Sequence, residues 1–164
     1  MTDLTTWLTL VSALGCGLIG GVFFAFSAFV MKALRDLPAN QGIAAMQSIN
    51  IAVINPIFMT AFFGTAALCL VLTVMSVFGW QKPRSVYIIL GGLLYLIGTI
   101  LVTILFNVPR NNALAAVSPA SPDAASLWTG YVNSWTAWNH VRTLSALAAA
   151  ALFSIALVKT TDMQ

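Results

Sequence analysis

From Leu4 to Met31 the chain carries no charged side chain, and that run constrains everything else. Crossing a bilayer takes about 20 consecutive apolar residues in a helix. An open sheet edge is not tolerated in hydrocarbon, because its backbone groups would go unpaired. Three further runs have the same character: Asn55 to Trp80, Val86 to about Asn107, and about Trp138 to Val158. The expected spans are therefore 7–31, 55–80, 86–107 and 138–158. They fall in a single domain over residues 1–164. The fold class is all-α, an antiparallel four-helix transmembrane bundle.

Charge supports this. Only 7% of residues are charged and 60% are hydrophobic, where soluble domains carry about 25% charged residues. Mean hydropathy is +0.94. The 4 acids are all Asp: Asp3, Asp36, Asp123 and Asp162. A net charge of +3 from so few groups forms no basic patch, which excludes a nucleic-acid partner. Asp3 precedes the first run and no basic segment does, so that run is expected to stay rather than be cleaved. Cys16 and Cys69 each stand alone in an apolar run, read as small packing residues. With one histidine and no CxxC, no metal site is expected.

Local signals set the connections. Asn55-Pro56 reads as a cap followed by proline at the first helical position. The basic turn Gln81-Lys82-Pro83-Arg84-Ser85 joins the second and third runs as a hairpin. Loop one carries GIAAMQSIN, expected as a short interfacial helix. Ser121-Pro122-Asp123 is a further helix start, so the fourth helix extends outward to about Pro122. Pro109 leaves two outcomes for the third helix, continuation to Asn111 or a break.

Helices approach closely in lipid through small residues. Ala13, Gly17, Gly21 and Ala25 form one such row and Ser12, Cys16 and Gly20 another. Both are expected to be contacts inside the bundle. A homo-oligomer stays open. Lys82, Arg84 and Lys159 lie on one side, Lys32, Arg35, Arg110 and Arg142 on the other. With Arg110 and Arg142 set aside as functional, positive-inside counting puts both termini in the cytoplasm, in a bacterial-type inner or plasma membrane.

Loops one and three then share a membrane face. That face gathers Gln47, Asn50, Asn55, Asn107, Arg110, Asn111, Asn112, Asn139, His140 and Arg142, while the other has little beyond the hairpin turn and the tails. Tyr131, Trp135, Trp138, Asn139 and Arg142 follow helical steps of three and four and share a stripe. Asn107, Arg110 and Asn111 form a similar trio. His140 stands about 100° from Asn139, at the stripe's edge. Plainer roles exist for each: interfacial aromatic anchors, snorkelling arginines, helix caps at Asn55.

The ordered blocks GLIGGVFFAFSAFVMKALRDLP, GIAAMQSINIAVINPIFMTAFFGTA, NVPRNNAL and W..YV..WTAWNHVRTLSALAA resemble a family of small four-helix membrane proteins that includes the anthrone oxygenases. The resemblance spans about residues 8–158. It implies the four-helix fold and, for the oxygenases, oxidation of a planar phenolic substrate with no metal, flavin or other cofactor. An anthrone's CH₂ lies between two rings and is conjugated with a ketone, so its anion can pass an electron directly to O₂.

On that footing His140 is the candidate base, since only its ordinary pKa of about 6.5 suits neutral pH. Arg142 and Arg110 are candidates for stabilising an oxyanion. Asn107, Asn111 and Asn139 would hold ketone or hydroxyl groups, with Asn50 and Asn55 nearby. Trp135, Trp138 and Tyr131 would form an aromatic slot. The competing expectation is a non-enzymatic membrane protein. It binds a lipid, a quinone or another hydrophobic small molecule, or docks a partner membrane subunit. The bilayer itself is the one partner common to both.

Overall fold

A computed structural model of the chain describes residues 4–79 and 84–161. Trp80, the Gln81-Lys82-Pro83 part of the hairpin turn, Asp3 and Asp162 lie outside the described residues. The described residues are helical throughout, apart from short connections. Four helices are long and apolar enough to cross a membrane: α1 (Leu4–Arg35), α3 (Pro56–Phe78), α4 (Ser85–Ala115) and α5 (Ala124–Thr161). Between α1 and α3 lies the short helix α2 (Ala39–Ala52), where the loop-one sequence predicts one.

Why these segments fold so is visible at their ends. Pro38 precedes α2 with extended backbone, φ −50° and ψ 139°. The peptide before Pro56 is likewise extended, as proline requires of its neighbour. Asn55 Oδ1 accepts from the Phe58 N–H at 3.0 Å, while its Nδ2 donates to the Ala52 carbonyl at 2.9 Å. One side chain thus closes α2 and opens α3.

Pro109 does not break α4. It has no N–H and crowds the carbonyl four residues back, at Leu105. The turn over Thr103–Asn107 widens to π geometry, which makes room for the ring, and helix continues to Ala115. A longer π stretch covers Leu94–Leu101. In α1 a π turn covers Phe26–Val30.

Each spanning helix packs against two others. Cys16 and Cys69 meet across α1 and α3, sulfur to sulfur at 3.9 Å, as free thiols in the centre of the core. Tyr95 of α4 donates its hydroxyl to the Phe62 carbonyl of α3 at 3.1 Å. Along α4, Gly91 faces Ala149 and Phe153, Gly98 faces Ser145, and Asn107 reaches the Trp135 carbonyl. Partners therefore descend along α5 as they ascend along α4. α1 and α5 behave alike: Gly20 meets Leu147 and Ser27 meets Thr143.

The two small-residue rows part company. Ser12, Cys16 and Gly20 are buried, and a methyl on Gly20 would lie 2.8 Å from Leu147 Cδ2. Gly17 and Gly21 have nothing within 4 Å of an added Cβ, so that row, expected as a bundle contact, faces outward beyond Ala13. One helix needs a single narrow face at each seam, and the Ser12–Cys16–Gly20 row supplies it.

Large apolar side chains cover the outside, among them Leu14, Phe63, Ile97 and Leu144. In water such a coat would be unstable; in hydrocarbon it is the ordinary surface of a span. The chain is an integral membrane protein. α5 buries apolar residues along its whole length. Its outer part, Ala124 to Trp135, packs on α2 and the end of α4 in a second core with Ile43, Met46 and Leu114.

Candidate functional site

At the end of the bundle where α1 passes into α2, loops one and three are stitched together. Gln47 of α2 donates Nε2 to the carbonyls of Leu114 and Val117, both at 2.9 Å. Gly42 abuts the Trp128 ring, and a Cβ there would stand 2.7 Å from it. This shared face is the one the sequence predicts.

Beneath it lies a buried polar cluster centred on Arg142, which is 4% exposed. Its guanidinium lies 4.1 Å from the Phe23 ring centroid and 5.0 Å from that of Trp135. Nη2 donates to Asn139 Oδ1 at 2.6 Å, and Nη1 to Thr103 Oγ1 at 3.3 Å. Nε has no hydrogen-bond partner among the described residues. The aromatic faces and the delocalised charge make burial tolerable without a carboxylate.

Asn139, 0% exposed, turns its amide the other way. Nδ2 donates to the Phe23 carbonyl and to Ser27 Oγ, both at 2.8 Å. A π turn begins three residues further on, at Phe26, and holds Ser27. Thr143 Oγ1 donates to the Asn139 carbonyl at 2.8 Å and stands 3.1 Å from Ser27 Oγ.

The aromatic stripe is also anchored. Asn111 Oδ1 accepts from Tyr131 Oη at 3.0 Å and from Trp135 Nε1 at 2.8 Å. Asn107 Nδ2 donates to the Trp135 carbonyl at 3.2 Å, and its Oδ1 is buried with no hydrogen-bond partner among the described residues. Asn50 comes close to Tyr131 from α2, with its Nδ2 in the same condition. So Asn107, Asn111, Tyr131, Trp135, Asn139 and Arg142 come together, with Asn50 at their edge.

Four expected site residues lie elsewhere. His140 is exposed on another face of α5, since it is about 200° around the helix from Arg142. Arg110 is half-buried, with Nη1 donating to the Phe106 carbonyl at 2.6 Å. Trp138 stacks on Phe106, with ring centroids 3.6 Å apart. Asn55 spends both polar groups as the cap between α2 and α3.

His140 opens into a groove of about 430 Å³ between α1 and α5. Its polar lining is Ser27, Lys32, Arg35, Asn133, Thr136 and His140. Arg35 Nε also lies 3.7 Å from Asp36, with both side chains more than half exposed, so that pair is weak. Thr136 Oγ1 is buried with no hydrogen-bond partner among the described residues. A larger groove of about 580 Å³ runs between α1 and α3, but Val11, Leu14, Leu18, Leu68 and Val71 make it apolar and no titratable side chain lines it. From the sequence, Lys32 and Arg35 count only toward topology, and Ser27 and Thr136 carry no assigned role. No signal in the run sets Ser27 apart from its other hydroxyls, such as Thr9 and Ser12.

Ser27 belongs to both sites, because it receives the Asn139 amide and lines the groove. An interior guanidinium–amide pair, backed onto a cationic groove at one end of four apolar helices, defines a small polytopic membrane protein with polar groups gathered at one rim. Residues 58–152 match the family described as anthrone oxygenase. That is more than half of the chain, and the chain belongs to the anthrone oxygenase family. No curated protein and no solved structure matches it.

Proposed function

We propose that the chain oxygenates a planar phenolic ketone, without a cofactor, in the groove between α1 and α5. The supporting observation is that its one histidine shares a groove of about 430 Å³ with two cations, Lys32 and Arg35. That volume falls within the roughly 300–1,000 Å³ of small-molecule sites. His140 takes a proton from the activated CH₂. The carbon's electron pair spreads onto the ketone oxygen, and Lys32 or Arg35 faces the resulting charge. The anion gives one electron to O₂, and the radical and superoxide combine into a carbon-bound peroxide. Protonation, loss of the second C–H proton and O–O cleavage then leave a new ketone and one water. The substrate's CH₂ and O₂ thus become C=O and H₂O.

In this reading Arg142 acts from behind the groove, and Arg110 and Asn55 serve the helices. Tyr131 and Trp135 wall the interior cluster, and Asn107 and Asn111 hold that wall in register. Anthrone in detergent with O₂ tests it, with anthraquinone formation followed by absorbance and a protein-free blank subtracted. Wild type should exceed the blank, and His140→Ala should lose about 100-fold or more, as for a removed general base. Equal rates for wild type and His140→Ala would overturn the base assignment.

A second, non-enzymatic reading draws on the same cations, which suit an anionic lipid headgroup or an acidic amphiphile. Mass spectrometry of co-purified molecules separates the two: a planar aromatic favours oxygenation, phospholipid alone the binding role. We further propose a bacterial-type inner membrane with both termini cytoplasmic, which puts the groove on the opposite face. Reporter fusions at each terminus test that, and light scattering in detergent tests for a homo-oligomer.

A further inference from the structure

We infer that Ser27 is an oxyanion donor of the groove, with Asn139 and Arg142 as the positioning residues behind it; this rests on the oxygenase reading. The ligand class it fits is an aromatic ketone that becomes an enolate. Follow the protons. Arg142 Nη2 donates to Asn139 Oδ1, which leaves the amide nitrogen electron-poor. That nitrogen donates to Ser27 Oγ at 2.8 Å, so the serine oxygen is an acceptor there. Its own proton must point elsewhere.

Thr143 is the neighbour at 3.1 Å, and its single proton already goes to the Asn139 carbonyl at 2.8 Å. Thr143 is therefore the acceptor for Ser27. Hydroxyl-to-oxygen bonds are commonly about 2.7–2.8 Å, so this one is long and easily exchanged. Ser27 also lines the groove. A substrate oxygen gaining negative charge there draws the Ser27 proton out of its weak bond. Hydrogen bonds in a chain polarise one another, so the buried guanidinium strengthens that donation without touching the substrate. Asn139 also grips the Phe23 carbonyl, which fixes Ser27 one turn away on the same helix. The interior cluster thereby acquires a part in the reaction, although no substrate need enter it.

The same anthrone assay, on the full chain in detergent, tests this. Ser27→Ala should lower kcat about 100-fold, typical for loss of one oxyanion donor, read at a temperature where its circular dichroism matches wild type, because it also leaves one buried Asn139 N–H unpaired. Ser27→Thr, which keeps a hydroxyl, should retain most of the rate. Arg142→Lys should slow wild type, yet change nothing further in the Ser27→Ala background, because its influence passes through that hydroxyl. KM should hold across the Ser27 variants while the plateau rate falls. An unchanged rate in Ser27→Ala overturns the inference and leaves His140 standing. So does a fold-loss from Arg142→Lys that is the same in both backgrounds. Wild type no faster than buffer sinks the oxygenase reading and this inference together.

Discussion

Arg142 Nη2 and Asn139 Oδ1 lie 2.6 Å apart inside the bundle, and among the described residues no carboxylate touches the guanidinium. The amide is the chief polar contact of a buried charge and, through Phe23, the clasp between α1 and α5. Replacing Asn139 by Leu leaves Arg142 and the Phe23 carbonyl without it. Each loss of that kind costs about 1–3 kcal/mol. The thermal midpoint of Asn139→Leu in detergent should fall by several degrees, while Asn133→Leu, on an exposed position of the same helix, should stay near wild type.

Glycine substitutions should split by location. A Cβ at Gly42 would lie 2.7 Å from the Trp128 ring and 2.9 Å from the Leu34 carbonyl, and the carbonyl cannot swing aside. Gly42→Ala should destabilise by about 1–3 kcal/mol through overpacking. Gly17→Ala meets open space and should be neutral or slightly stabilising. Scanning fluorimetry of the two variants decides it.

Gln47 ties α2 to the end of α4 through two carbonyls. Gln47→Leu removes both bonds and should loosen residues 114–123 without unfolding the spans. Limited proteolysis should then cut that connection faster, and helical content by circular dichroism should hold.

Lys32→Gln and Arg35→Gln should raise KM for an anthrone bearing an ionised acid more than for anthrone itself. The two cations of the groove would be lost one at a time. Michaelis kinetics on the paired substrates measures the difference, which should shrink at high salt as exposed charges are screened.

Much of the fold can be read from the runs themselves. Four long apolar helices, the loop-one helix and the Asn55 cap follow from hydropathy and local turn chemistry, and the structure bears them out. The fourth helix begins at Ala124, close to the start that Ser121-Pro122-Asp123 signals, and α2 and loop three cover the polar outer turns that precede its apolar run. Pro109 sat at an undecidable point: a widened turn absorbs it, and nothing in the local sequence specifies that.

Of the stripe Tyr131, Trp135, Trp138, Asn139 and Arg142, four share the buried face that helical period fixes, while Trp138 turns to Phe106. His140's separation from Arg142 was in the same arithmetic. Ser27 was not legible. It lies 112 residues from Asn139, and only the packing of α1 on α5 brings the two together. Its alignment also depends on a π turn that no residue there announces.

The length of α5 has one more consequence. Its 38 residues measure about 57 Å, against about 30 Å of hydrocarbon. The bundle therefore stands proud of the bilayer as a turret, and Lys32, Arg35 and His140 sit near its base. Under the oxygenase reading, an oily substrate in the adjoining leaflet reaches the groove by sliding sideways, and one in the far leaflet must flip first, so the two monolayers are not equal reservoirs.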